Sequence, residues 1–188
     1  MDNIKRITSF SVDHDKIGVG IYVSRIDGDI TTYDLRTRIP NAGDYLDDVT
    51  MHSVEHMLAT YLRNSQISDS VIYFGPMGCR TGFYLLTRNL SNEVVLKEVM
   101  QALEKTINHQ GEMFGNTKKE CGNYLCLSLE SAKIECQKYL TALKEQKNID
   151  FKYDIEIAAY IINPTESKYN IDDHFAVQRK MIKLAKGA

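Results

Sequence analysis

The sequence contains no tryptophan, only three prolines among 188 residues, and no excess of either charge: 23 Lys+Arg stand against 25 Asp+Glu. The balanced charge excludes the basic stripe that a nucleic-acid partner needs, and no acidic or basic tail calls for a charged partner. The most basic stretch, Gln178 to Lys186, reads as a solvated helix face. No apolar run has the length required to cross a bilayer. The opening MDNIKRITSF carries charges where a signal peptide has its apolar core. A cytoplasmic protein is expected, in which thiols stay reduced. The four cysteines, Cys79, Cys121, Cys126 and Cys136, are then core fillers, metal ligands or reactive thiols rather than a disulfide framework.

What is present suffices for a globular domain. Apolar residues make up 43% and charged residues 26%, ordinary proportions for a chain with a real core. Ile7 to Val12 is rich in strand-forming residues, and Ile17–Ile26 and Ile30–Arg36 flank Asp27-Gly28, a hairpin signal. Pro40, Asn41 and Gly43 mark a loop. Val54, Met57, Leu58, Tyr61 and Leu62 recur at helical spacing and predict a helix from Asp48 or Thr50 to Asn64. Strands are predicted at Val71–Phe74 and Thr81–Thr87, separated by Gly75-Pro76-Met77-Gly78-Cys79. Ser91 caps a second helix that ends by Gly111, and a third follows Ser128, burying Ala132, Cys136, Tyr139, Leu140 and Leu143. Mixed strands and helices with a hairpin first predict an α+β sandwich rather than a doubly wound sheet. From about Gln146 the chain reads as an addition, with an alternating stretch at Phe151–Ile157 and a helical one at Ile171–Lys186.

Chemistry concentrates in His52-Ser53-Val54-Glu55-His56. Two histidines four apart on a helix lie about 40° apart around its axis, so both imidazoles can reach one ion. The stripe through Val54, Met57, Leu58 and Tyr61 points roughly the other way, and Ala59 leaves room beside the pair. Glu55 stands next to this polar face, placed for a base rather than a ligand. The spacing H-x-x-E-H is that of the inverted zincins. Taken alone it also fits two surface histidines on an amphipathic helix. Cys121, in a loop before Gly122, is the best third ligand, because Cys136 sits in a helical core stripe and Cys126 in an apolar run. A His2Cys set leaves a coordination position open, as catalytic sites do. Zn²⁺, Fe²⁺ and Co²⁺ all suit it. Cys79, between glycines and before Arg80, is either a small residue filling a tight turn or a thiol whose thiolate a neighbouring cation favours.

HSVEHMLA (52–59), GPMGCRTGFYL (75–85) and ECGNYLCLSLESAK (120–133), with VDH (12–14), YDLR (33–36) and Pro40-Asn41 in order, resemble the S-ribosylhomocysteine lyase (LuxS) family. The resemblance runs from about Thr8 to Leu143, and the three long motifs are highly specific as a set. It implies an antiparallel sheet packed with helices in a metallohydrolase-like (LuxS/pitrilysin-like) two-layer architecture, the metal on the H-x-x-E-H helix. It implies cleavage of S-ribosylhomocysteine to homocysteine and 4,5-dihydroxy-2,3-pentanedione, the autoinducer-2 precursor, by a homodimer with active sites at the interface. One divalent metal per subunit, most often Fe²⁺ with Zn²⁺ or Co²⁺ able to substitute, would be held by His52, His56 and Cys121. Glu55 and Cys79 would form the acid/base pair, and Ser9, His14 and Arg36 would lie near the ribose. The expected division is a catalytic domain at residues 1–145 and an extension at 146–188 packed on it. The sequence departs from the commoner family pattern at Ser53, where Thr is more frequent, at Thr37, where Phe is, and in the extension, which has no counterpart. Two rivals remain. A pitrilysin-type peptidase shares the helix but takes Glu as third ligand in a much longer chain. A metal-binding homologue without catalysis would have no need of Glu55 and Cys79.

Overall fold

The computed structural model describes residues 12–145. Residues 7–11 of the first predicted strand, Ser9 among them, and all of 146–188 with its predicted strand and helix lie outside the described residues. Four strands form one antiparallel sheet: β1 (Gly20–Asp27), β2 (Ile30–Arg36), β3 (Val71–Pro76) and β4 (Gly82–Arg88), in the order β1-β2-β4-β3. Three helices complete the α+β fold: α1 (Asp48–Arg63), α2 (Asn92–Ile107) and α3 (Leu129–Glu145).

The β1–β2 hairpin pairs Asp27 with Ile30, so Gly28 and Asp29 make the turn. Gly28 alone has positive φ, 62°, which fits a turn that needs glycine at its first central position. Side-chain alternation then divides the sheet. Ile21, Val23, Tyr33, Leu35, Phe83 and Leu85 face the helices and belong to one hydrophobic cluster with Val54, Met57, Leu58, Val99, Leu103, Cys136 and Leu140. Phe74 and Phe83 stack at 5.3 Å across β3 and β4.

The helices begin where side-chain oxygens meet their unpaired amides. The Asp47 carboxylate accepts from the Thr50 N–H at 2.8 Å at the start of α1. The Ser91 hydroxyl accepts from the Val94 N–H at α2, and the Ser128 hydroxyl accepts from the Ser131 N–H at 3.2 Å at α3. α2 stops at Ile107, four residues short of Gly111, because Asn108 closes it with its own N–H on the Glu104 carbonyl.

The other face of the sheet holds what hydrophobic patterning does not disclose. Asp34 and Arg36, successive outward positions of β2, are both buried and form an ion pair. Just beyond β2, Arg38 reaches Glu135 of α3 with two bonds of 2.5 and 2.7 Å, pinning the sheet to that helix. Such pairs fix geometry more than they add stability, since desolvation offsets most of their attraction.

Candidate metal centre and the thiol beside the sheet

α1 carries His52 and His56 on one side, with ring centroids 4.6 Å apart and planes at 89°. Each ring is oriented from behind. The Nδ1–H of His52 donates to the Cys126 carbonyl at 2.9 Å, and that of His56 to the Phe114 carbonyl at 2.9 Å. With Nδ1 carrying the hydrogen, the neutral ring of each histidine has its lone pair on Nε2, the tautomer a metal ligand requires. The Cys121 sulfur stands 3.4 Å from His52 Nε2, and one ligand atom from each of His52, His56 and Cys121 falls within 4.8 Å of the others. The Asn123 N–H lies 3.4 Å from the sulfur and donates to it, as suits an anionic thiolate. Two bare imidazole nitrogens and a sulfur at these separations fit a tetrahedral divalent ion with one position open. Glu55 is half-buried on the same helix, and its carboxylate has no hydrogen bond or ion pair among the described residues.

Three local features let the loops reach α1. Gly115 has φ 66°, and a Cβ there would sit 2.8 Å from His56 Nδ1, so only glycine allows the Phe114 carbonyl behind that ring. Ser53, wholly buried, donates to the Val49 carbonyl at 2.6 Å and accepts from the Ser128 N–H at 2.8 Å. That one hydroxyl ties the start of α3, and the Cys126 carbonyl just before it, to the helix bearing the histidines. Behind Phe114, His109 holds the loop: its Nε2–H donates to the Glu112 carbonyl at 2.8 Å, and its Nδ1 is hydrogen-bonded to the Tyr61 hydroxyl at 2.7 Å.

Cys79 is exposed in the turn between β3 and β4. It borders an open cavity of about 350 Å³ lined by His14, Asn41, Tyr45, Arg80 and Thr81 among others. The glycines around it do not supply the sharp bend. Arg80 does, at φ 59°, with its N–H on the Met77 carbonyl at 2.9 Å. The Arg80 guanidinium turns toward Asp48 at 3.9 Å, one helical turn before His52, and the Leu46 N–H donates to the Arg80 carbonyl at 2.9 Å. The thiol loop is therefore fastened to the start of the metal helix. His14 reaches the cavity, whereas Arg36 is buried behind it, bonded to Asp34 and to the Thr81 hydroxyl. Burial pushes the Asp34 carboxyl up, against the pull of Arg36. Burial also opposes the Arg36 charge, but Asp34 more than offsets it and holds the guanidinium above its ordinary value.

Residues 7–150 match the family model described as S-Ribosylhomocysteinase (LuxS). The chain belongs to that family. Among curated relatives named S-ribosylhomocysteine lyase, the protein of Borrelia garinii subsp. bavariensis is 40% identical over 156 residues, covering 80% of this chain and 99% of its own. That of Finegoldia magna is 41% identical over 155 residues, with 80% and 99% covered. That of Phocaeicola vulgatus is 42% identical over 156 residues, with 80% and 97% covered.

For this LuxS-family chain, the three residues predicted as ligands do converge, and Cys136 is the core cysteine it was expected to be. Cys126 differs from the expectation of buried packing: it is partly exposed, and its carbonyl orients His52. Gly115, Phe114 and Thr81 support the site without a motif that says so, and Ser53 shows in the sequence only as a departure from the family's more frequent Thr. Gly115 is legible as a glycine in a loop with no other reason to be one. A backbone carbonyl leaves no signal.

Proposed function

We propose that the chain is a metal-dependent carbon–sulfur lyase that splits S-ribosylhomocysteine into homocysteine and 4,5-dihydroxy-2,3-pentanedione. The observation that carries this reading is the convergence of His52, His56 and Cys121, with Glu55 between the histidines, in a chain of this family. One divalent metal, Fe²⁺ by family resemblance with Zn²⁺ or Co²⁺ as substitutes, is held by these three residues. When bound it supplies Lewis acidity to the oxygens of the opened sugar.

The protein's own groups move the protons. Carrying the carbonyl from C1 to C3 takes a proton from C2 and returns it at C1, then takes one from C3 and returns it at C2. Cys79 does this work from the open cavity, its sulfur cycling between thiolate and thiol. With the ketone at C3, loss of the C4 proton breaks the C5–S bond and releases the homocysteine thiolate. Glu55 moves protons among the oxygens and assists this elimination. His14 contacts the ribose directly, Ser9 belongs with it by resemblance, and Arg36 acts from behind through Thr81.

The functional unit is a homodimer with active sites at the interface. The walls that this chain gives the Cys79 cavity include none of His52, Glu55, His56 or Cys121, and a second copy is the natural source of a facing wall. Tyr45, exposed on the wall of that cavity, and Ile39, exposed next in sequence to its Pro40 wall, supply apolar surface for the contact. Mixing His52→Ala with Cys79→Ala protein tests this, since a site shared between subunits regains activity in mixed dimers. Residues 1–145 form the catalytic domain, and 146–188 an extension packed on it. A truncation after residue 145 with unchanged stability would remove that packing. The expected compartment is the cytoplasm; among the described residues no helix is long and apolar enough to cross a membrane.

The deciding experiment is thiol release from S-ribosylhomocysteine by protein purified without oxygen. Free homocysteine from metal-loaded protein is expected. A fully metallated protein that releases none sinks the reading.

A further inference from the structure

Arg36 places Nη1 2.5 Å from the Thr81 hydroxyl oxygen, and that oxygen is 3.0 Å from the Cys79 sulfur. A guanidinium has donors only, so Thr81 must accept from it. The hydroxyl keeps one hydrogen of its own, Thr81 is only 3% exposed, and a Cys79 thiolate has no hydrogen to give, so toward the thiolate the hydroxyl is the donor. We propose that Thr81 is a positioning residue for Cys79: its hydroxyl, anchored by Arg36, donates to the sulfur and holds it as an acceptor facing the cavity.

The surroundings make Thr81 a fixed post. Its carbonyl accepts from the N–H groups of Thr37 at 3.0 Å and Arg38 at 3.1 Å, so its backbone is fastened to the chain leaving β2. The next residue, Gly82, lies so close to that strand that a Cβ would meet the Leu35 carbonyl oxygen at 2.3 Å. Arg36 in turn is gripped by Asp34, through Nε at 3.1 Å and through Nη2. The order Asp34, Arg36, Thr81, Cys79 therefore runs from a buried carboxylate to an exposed sulfur, each member set by the one before. Without it, a sulfur in an exposed turn would rotate freely. A hydroxyl donating to a thiolate is among the stronger hydrogen bonds, being charge-assisted.

Other ionisable groups face the same place and are present in every Thr81 variant. His14, Tyr45 and Arg80 border the cavity. Tyr84, pushed up by burial first and then by Asp34, is also raised by the charge on Cys79. Comparing variants at Thr81 at each pH holds the direct contributions of His14, Tyr45 and Arg80 in common.

The catalytic half of this proposal rests on the lyase reading, whereas the reactivity of the thiol does not. Metal-loaded full-length Thr81→Val and Thr81→Ser are treated with iodoacetamide from pH 6 to 9. Modification of Cys79 is followed by the mass of its own peptide, beside kcat and KM for homocysteine release. Thr81→Val is expected to slow Cys79 alkylation about tenfold near neutral pH and to lower kcat by about tenfold or more, with KM within about twofold. Thr81→Ser, which keeps the hydroxyl, restores both. Should Thr81→Val not fold, Thr81→Ala carries the same expectations. Alkylation of the hydroxyl-free variant at the parental rate overturns the proposal, as does a serine variant as impaired as the valine one. The expected alkylation pattern with no homocysteine release from any protein leaves the positioning role standing and removes the lyase reading instead.

Discussion

The metal cluster and the Cys79 turn lie at opposite extremes of how a protein supports a reactive group. His52 and His56 are oriented by backbone carbonyls, of Cys126 and Phe114. Cys79 is held by side chains, Thr81 and behind it Arg36 and Asp34. The first arrangement depends on the path of the chain, and any residue able to follow that path preserves it. The second depends on which atoms the side chains carry. Substitutions that bend backbone should thus injure the metal site, while isosteric exchanges of polar for apolar atoms should injure the thiol.

The largest effects come from the reactive groups themselves. His56→Ala should abolish metal retention and with it activity, whereas Cys79→Ala should cost about 10²–10⁴-fold in rate while keeping one metal per chain by elemental analysis. Loss of metal from Cys79→Ala would collapse the contrast into one interdependent site. Next comes Gly115→Ala, which forces a Cβ against His56 in a left-handed backbone. Strain of about 1–3 kcal/mol and a metal affinity lower by about 10–100-fold are expected in chelator competition. Undiminished affinity would show that carbonyl support of His56 is dispensable. Ser53→Ala leaves the Ser128 N–H without its acceptor and should cost about 1–3 kcal/mol in urea unfolding.

The smallest effect concerns Cys136, whose thiol burial pushes up from 9.0 to about 12. It should be the last of the four cysteines to alkylate at pH 8. Because the folded state keeps this proton longer than the unfolded state, its contribution to stability is complete below about pH 9 and lost as pH rises toward 12. A urea midpoint that failed to fall between pH 8 and pH 10.5 would contradict it.

Sequence periodicity located the elements well because burial enforces it. Met57 and Leu58 lie in the core where the helical stripe puts them, and Ser128 starts α3 as expected. Strand bounds were less legible. The first hairpin strand begins at Gly20 rather than Ile17, since hydrogen bonding to β2 starts only there. The strand order β1-β2-β4-β3 is a matter of long-range pairing, on which local pattern is silent. At the site, the ligands were legible because imidazole and thiol chemistry is confined to few residue types. Their supports were not. Thr81 reads as an ordinary strand residue, and nothing local shows that Arg36 and Asp34 are buried together until the end of β2 is seen to be buried on both faces. Arg80, the expected cation for the thiol, turns to Asp48, and Arg36 takes that place through Thr81.

The segment from Thr117 to Cys126 brings Cys121 to the two histidines with little buried surface of its own; Leu125 within it is 81% exposed. Among the described residues its ties to the body of the protein are few, chiefly the Cys126 carbonyl on His52 and the Cys121 sulfur beside that ring. An ion held as proposed by His52, His56 and Cys121 would add a further tie to this segment, and its removal would leave the core around Met57 and Leu85 intact. The apoprotein should therefore open here first, by a local excursion far cheaper than global unfolding. Amide hydrogen exchange would register it as a patch of fast-exchanging residues that metal silences, and proteases would cut there in the metal-free form alone.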